Sequence, residues 1–236
     1  MEYIFAVQNH REFEDFSRFS RQYKDVISDY IDFLVSSYQV KDLPRCIVLA
    51  SAKTATEQIS DIPIPAYTND YRIVFTPELD TWKRLYLRQL DRYETDAQVN
   101  EIRAYYETST NDHHLLQIIG HELAHHSDIF SDEAYENGGA WFEEGAVEYI
   151  SCKYFLTARE FDEAVQISKK LVELYERTHP ERPLSLFGNT KDFATIHYDY
   201  RRAFLRIFYA FDRCGGSIAS SLQHYATAPG LLLEDK

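Results

Sequence analysis

Two histidines four positions apart stand in the segment Gly-His-Glu-Leu-Ala-His-His, residues 120–126. Residues i and i+4 of an α-helix lie on the same face, so His121 and His125 can bind one metal ion with both imidazoles. Glu122 lies about 100° further round the helix, where its carboxylate can accept a proton from a metal-bound water without binding the metal. The segment therefore predicts a zinc site for hydrolysis, with Glu122 as the general base.

The same segment has a plainer explanation, which is a helix whose polar residues form a solvated stripe. His126 lies roughly a quarter-turn from the face that carries His121 and His125, so we leave it out of the metal site. A catalytic zinc ion usually has three protein ligands and one water molecule. The third ligand must then be a Cys, His, Asp or Glu from elsewhere in the chain.

A second predicted helix supplies acidic side chains downstream, in the run Trp141-Phe142-Glu143-Glu144-Gly145-Ala146-Val147-Glu148-Tyr149. Eighteen residues separate His125 from Glu144. This spacing, together with Trp-x-x-Glu-Gly-x-x-x-Tyr, resembles the gluzincin zinc metallopeptidases, in particular the catalytic domain of the aminopeptidase N and leukotriene A-4 hydrolase clan. The resemblance implies that Glu144 is the third zinc ligand. Glu143 stands where that family usually has Asn.

Glu148 lies one helical turn after Glu144 and on the same face of the predicted helix. A carboxylate at this position can accept the second ring N–H of a ligand histidine and so orient the ring. Thermolysin-like gluzincins have an acidic residue at this offset, which implies that role for Glu148. Taken alone, Glu143, Glu144 and Glu148 also fit a solvated acidic face.

A donor for the transition-state oxyanion is expected in the last predicted helix. In the aminopeptidase clan this donor is a Tyr in a Tyr-x-x-small-Phe helix that ends in Gly-Gly. Tyr200, Ala203 and Phe204, followed by Gly215-Gly216, resemble that layout. The resemblance implies that Tyr200 is the donor, while Tyr198 and His197 remain alternatives.

Arg201 and Arg202 directly follow the expected donor. Their guanidinium groups can hold a substrate carboxylate or carbonyl. They can equally form the solvated face of the helix, and we favour that interpretation.

Two family features have no counterpart in this chain. The aminopeptidase signature Gly-x-Met-Glu-Asn is missing, since no Gly precedes Gly120 and Met1 is the only Met. The large N-terminal β-domain of those enzymes is missing as well. The resemblance therefore implies peptide-bond hydrolysis and leaves endopeptidase and exopeptidase activity both open. A zincin-fold regulatory or peptide-binding protein with little or no turnover is the alternative function.

Hydrophobic periodicity predicts the elements that position these residues. A long amphipathic helix is expected over residues 11–38, and strands are expected over 45–50 and 71–76, the second as a sheet edge for an extended substrate. Residues 94–112 fit no element. Helices are further predicted over residues 81–91, 113–129, 140–156, 160–178 and 193–213, with a short helix from Ser217 and a break at Gly138-Gly139.

This order predicts a single α+β domain over residues 1–236, mostly helical overall. A strand-bearing N-terminal lobe of residues 1–130 includes the metal-binding helix, and residues 131–236 form an all-helical lobe. The resemblance implies that this is a zincin-like catalytic fold.

The composition narrows the classes of partner and compartment. A net charge of −13 with dispersed Lys and Arg argues against nucleic acid and anionic membrane surfaces as partners. No stretch approaches the roughly eighteen apolar residues of a membrane span. Cys46, Cys152 and Cys214 are far apart and predict free thiols in a reducing cytoplasm. We expect a peptide or protein substrate, and nothing in the sequence indicates an oligomeric state.

Overall fold

A small mixed sheet and eight α-helices make up the computed structural model, which describes residues 1–130, 132–179, 182–212, 222 and 225. The strands are β1 (Glu2–Ala6), β2 (Cys46–Ala50), β3 (Ala66–Asn69) and β4 (Arg72–Phe75). The helices are α1 (His10–Tyr38), α2 (Leu79–Arg88), α3 (Ala97–Ser109), α4 (Asp112–Ala124), α5 (Asp132–Ala134), α6 (Ala140–Phe155), α7 (Ala158–Glu176) and α8 (Phe193–Asp212). The expected α+β, mostly helical architecture is confirmed.

The sheet has the strand order β1-β2-β4-β3. The first three strands in that order are parallel, and β3 pairs antiparallel with β4 through a two-residue hairpin turn. Two strands were not predicted, β1 and β3. The expectation that residues 71–76 form the sheet edge is wrong, because β4 lies between β2 and β3. The edge strands are β1 and β3, and Pro65 is tolerated just before β3.

Helix α1 packs against the sheet and against α4. Its N-cap, Asn9, accepts a hydrogen bond from the backbone of Glu12, and the helix ends where Gln39 adopts a left-handed conformation with φ 56°. Phe19 of α1 contacts Phe75 of β4 with ring centroids 5.7 Å apart. The sheet is thereby fixed against the helical part of the molecule.

Helix α3 occupies most of the segment to which no element was assigned, and Asp96 caps it by accepting from the backbone of Val99. Helix α4 begins after Asn111, which accepts from the backbone of His114. It ends at Ala124, five residues before the predicted end at 129. His125 keeps right-handed helical angles as the C-cap, so the four-residue geometry of the two histidines is preserved.

Helix α6 lies between α4 and α8 and is buried on nearly all sides. The glycines expected to break the chain lie instead in a π-helical turn, Tyr135–Gly139, that continues directly into α6. Gly145 allows α8 to approach closely, because a Cβ at this position would lie 2.6 Å from the carbonyl oxygen of Ala203. The close approach brings α8 next to the acidic side chains of α6.

The remaining predictions concern the cysteines, the C-terminal residues and membrane spans. Cys46 and Cys152 are free thiols as expected. Cys214, Gly215-Gly216 and Ser217, where a short helix was expected to begin, lie outside the described residues. Among the described helices, none is both long and apolar enough to cross a membrane.

Candidate metal centre

Three ligand atoms from two helices converge at the junction of α4 and α6. Nε2 of His121 lies 3.1 Å from Oε2 of Glu144 and 3.3 Å from Nε2 of His125. The third side of the triangle, from His125 Nε2 to Glu144 Oε2, measures 3.4 Å. All three side chains are buried or nearly so. This His121-His125-Glu144 group can hold a metal ion.

The size of this triangle fits a zinc ion. Zinc binds imidazole nitrogen and carboxylate oxygen at about 2.0–2.2 Å with tetrahedral angles. Two ligand atoms at such distances and angles are about 3.3–3.6 Å apart. The three measured separations of 3.1–3.4 Å need only small adjustments to reach these values. The donor set of two imidazoles and one carboxylate also leaves room for a fourth ligand, as catalytic zinc sites require.

Each histidine has its second ring nitrogen against a carboxylate of α6. Nδ1 of His121 lies 3.0 Å from Oε2 of Glu148, as the resemblance implied for that residue. Nδ1 of His125 lies 2.6 Å from Oε1 of Glu143. When the rings are neutral, such contacts place the proton on Nδ1, so that Nε2 can bind a metal. The role of Glu143 was not predicted, because in the sequence it is one of several acidic residues on the same turn.

Besides His121, two polar groups hold Glu148. Arg201 donates from Nη2 to its Oε1 at 2.7 Å, and Gln117 donates to its Oε2 at 2.8 Å. The interpretation of Arg201 as part of a solvated helix face is wrong, since only 16% of its side chain is exposed. Arg202 is half-buried as well, donating to the backbone of Arg182. The contact between Arg201 and Glu148 was not predicted, because charged residues in an amphipathic helix normally lie on the solvated side.

The histidines and carboxylates of the cluster shift one another's pKa values strongly. Burial lowers the pKa of His121, but hydrogen bonds to Glu144 and Glu148 outweigh this and raise it to about 9. Burial also opposes the charge of His125, whose pKa is nevertheless raised well above its ordinary value by Glu144 and Glu143. Burial raises the pKa of Glu144, and the neighbouring histidines reverse this and hold it well below its usual range. The raised pKa values favour protonated histidines in the metal-free site, and a metal ion would displace these protons.

Glu122 projects from α4 into the space beside the metal ligands. It lines two adjoining cavities, of about 80 Å³ and about 430 Å³, that meet at Glu122 and Tyr200. Burial raises the pKa of Glu122, while the charges of His121 and His125 partly lower it. The carboxylate thus faces the cleft without being one of the three ligands, which is the geometry expected of a proton acceptor.

Of the three candidate donors, Tyr200 lies nearest the metal ligands. Its ring centroid is 5.8 Å from that of His121. Burial and the charges of Glu144 and Glu122 raise the pKa of Tyr200 well above its ordinary value, so its hydroxyl keeps its proton. The hydroxyl group of Tyr198 donates instead to Glu176 at 2.9 Å. His197 lines the smaller cavity, with its Nε2 3.0 Å from the hydroxyl group of Tyr106.

The edge strand β3 lines the larger cavity through Ala66, Tyr67 and Thr68. His126, excluded from the metal site, contacts this strand, with its Nε2 2.8 Å from the hydroxyl group of Thr68. The residue after the second ligand therefore connects the metal-binding helix to the edge of the sheet.

Comparisons with protein-family models, with the curated proteins and with the solved structures found no significant match. The candidate site therefore rests on the residues and the geometry of this chain.

Proposed function

We propose that this protein is a zinc-dependent metallopeptidase with a zincin-like fold of the gluzincin type. The observation that carries the proposal is the triangle of His121, His125 and Glu144, with separations of 3.1–3.4 Å between their ligand atoms and Glu122 in the adjoining cleft. Its two backing carboxylates complete the set of contacts that a zinc-bound histidine pair requires.

Zinc bound at these three residues would supply a Lewis acid and would lower the pKa of a water molecule towards neutrality. Glu122 then accepts a proton in the cleft and delivers it to the leaving amine. Its burial and raised pKa support this, because a base whose pKa approaches the working pH can both accept and return a proton. Tyr200 donates a hydrogen bond from its hydroxyl group to the negative charge that develops on the peptide oxygen, and keeps its proton.

The cleft beside Glu122 and β3 is suited to a peptide substrate. In the part of the chain that the structure describes, no strand pairs with the outer side of β3, whose backbone groups can pair with an extended chain. The net charge of −13 supports a peptide over a nucleic acid. The free thiols of Cys46 and Cys152 support the cytoplasm as the compartment.

Mass-spectrometric mapping of cleavage products from a mixed proteome digest tests the proposal. We expect the wild-type protein to cleave peptides and to lose this activity with a chelator. Glu122→Gln should retain zinc and lose at least about a hundredfold in rate, while Glu107→Gln on the exposed face of α3 keeps full activity. The positions of the cleaved bonds would separate endopeptidase from exopeptidase activity.

Two results would contradict the proposal. Cleavage that persists in the Glu122→Gln protein would show that the assigned base is wrong. A wild-type protein that binds zinc and peptides but releases no products would favour the alternative, a zincin-fold regulatory or peptide-binding protein.

A further inference from the structure

The two carboxylates behind the histidines differ in their surroundings. Glu148 is 7% exposed, and Arg201 neutralises its charge at 2.7 Å. Glu143 is 16% exposed and forms its ion pair with His125 at 2.6 Å. Among the residues that the structure describes, no Lys or Arg lies within ion-pair distance of Glu143. Among these residues, the carboxylate of Glu143 is therefore directed at one imidazole, that of His125.

The contact between His125 and the carboxylate of Glu143 differs from the one that the resemblance implies at this position. The gluzincin resemblance puts a neutral Asn where this chain has Glu143. An ionised acceptor forms a hydrogen bond roughly twice as strong as a neutral one. It also makes the imidazole a better electron donor to a metal on the opposite nitrogen. A carboxylate at this position would therefore strengthen the bond between Nε2 of His125 and a metal ion.

We propose that Glu143 is a positioning residue that sets the metal affinity of the site through His125. Its carboxylate holds the ring with the proton on Nδ1 and with Nε2 turned towards His121 Nε2, 3.3 Å away. The inference rests on the metal site of the proposed function and does not depend on peptide hydrolysis.

A competing explanation is that Glu143 stabilises α6 alone. It lies in the first turn of that helix, where a negative charge interacts favourably with the helix dipole. That role predicts a change in the stability of the metal-free protein and no change in its affinity for metal. The two roles are therefore separated by a binding measurement.

The test is the zinc dissociation constant, measured by competition with a chromophoric chelator on the full-length protein. We expect Glu143→Gln to weaken zinc binding about ten- to a hundredfold, because the amide is neutral. The matched control, Glu107→Gln, removes the same charge from the exposed face of α3 and should bind as the wild type does. Circular dichroism of the metal-free proteins checks that each variant is folded.

The absorption spectrum of the cobalt-substituted protein gives a second readout. The d–d bands report the ligand field, so Glu143→Gln should shift them even at saturating cobalt. Glu143→Asn, which installs the residue of the resembling family, should weaken zinc binding to a similar extent. It also serves as the second variant if Glu143→Gln does not fold.

Each outcome bears on a different statement. A variant with the wild-type zinc affinity and cobalt spectrum overturns the role of Glu143 and leaves the proposed peptidase intact. A wild-type protein that does not bind zinc overturns both. If the wild type binds zinc and cleaves nothing, the peptidase proposal fails and the affinity comparison still decides the role of Glu143.

Discussion

Arg201 of α8 donates a 2.7 Å hydrogen bond to Glu148 of α6, whose second oxygen lies 3.0 Å from Nδ1 of His121 on α4. One buried chain of charge thus links the three helices that form the site. Burial alone would raise the pKa of Glu148, but the charge of Arg201 and the contact with His121 hold it well below its usual range. Glu148 therefore stays ionised next to His121.

Replacement of Arg201 by Met should lower the free energy of unfolding by about 3 kcal/mol, because it leaves Glu148 charged, buried and without its cation. Arg206→Met, at a half-exposed position on the same helix, should change it by about 0.5 kcal/mol or less. Urea denaturation of the metal-free proteins measures both values. Equal losses of unfolding free energy in the two variants would mean that the Arg201–Glu148 ion pair does not stabilise the fold.

Tyr200→Phe should reduce kcat for peptide cleavage by about a hundred- to a thousandfold, since it removes a donor needed chiefly in the transition state. KM and the zinc content should change little. Tyr198→Phe is the matched control, because that hydroxyl group donates to Glu176 away from the metal ligands. Steady-state kinetics on both variants decide between the two tyrosines, and a larger loss in Tyr198→Phe would reverse the assignment.

Zinc binding should release protons near pH 7. The pKa of His121 is raised to about 9 and that of His125 well above its ordinary value, so both rings are protonated in the metal-free protein. Zinc requires the neutral rings, and its affinity should therefore increase as the pH rises towards 9. Calorimetric titrations in buffers of different ionisation enthalpy measure the protons released. Heats that do not depend on the buffer would contradict the prediction.

The same shift has a consequence for the metal-free fold. The pKa of His121 is higher in the folded protein, about 9, than in the unfolded chain, about 6.5, so protonation of this ring stabilises the folded state. The stabilisation is complete below about pH 6.5 and is lost as the pH rises through about 9. The free energy of unfolding of the metal-free protein should accordingly fall over that range. Glu148→Gln removes one of the two carboxylates that raise the pKa, and should flatten this dependence.

Gly145→Ala should destabilise the protein by about 1–3 kcal/mol, as added methyl groups do in well-packed interiors. The new Cβ would lie 2.6 Å from the carbonyl oxygen and 2.7 Å from the carbonyl carbon of Ala203, which are backbone atoms of α8. The helices must separate, which moves Tyr200 away from Glu144. Thermal unfolding and peptide cleavage measure the two effects. An increase in stability, as helix propensity alone would give, would rule out this close contact.

The local elements were predictable where a periodic pattern or a cap defines them. The bounds of α1 and of α6 were predicted within one residue at each end, and α8 begins at Phe193 as predicted. Strands β1 and β3 were missed, because short strands get much of their stability from pairing with distant parts of the chain. The edge of the sheet was consequently assigned to the wrong strand.

The sequence by itself determined the two histidines that α4 contributes to the candidate metal site, because four residues of helix place His121 and His125 on one face whatever surrounds them. The resemblance added Glu144, which the structure brings within 3.4 Å of both ring nitrogens. Only the tertiary structure decided that Glu143 backs His125 and that Arg201 neutralises Glu148. Glu143 lies 18 positions from His125, and Arg201 lies 53 positions from Glu148. Contacts over such separations depend on how three helices pack, and no local pattern of residues encodes that packing.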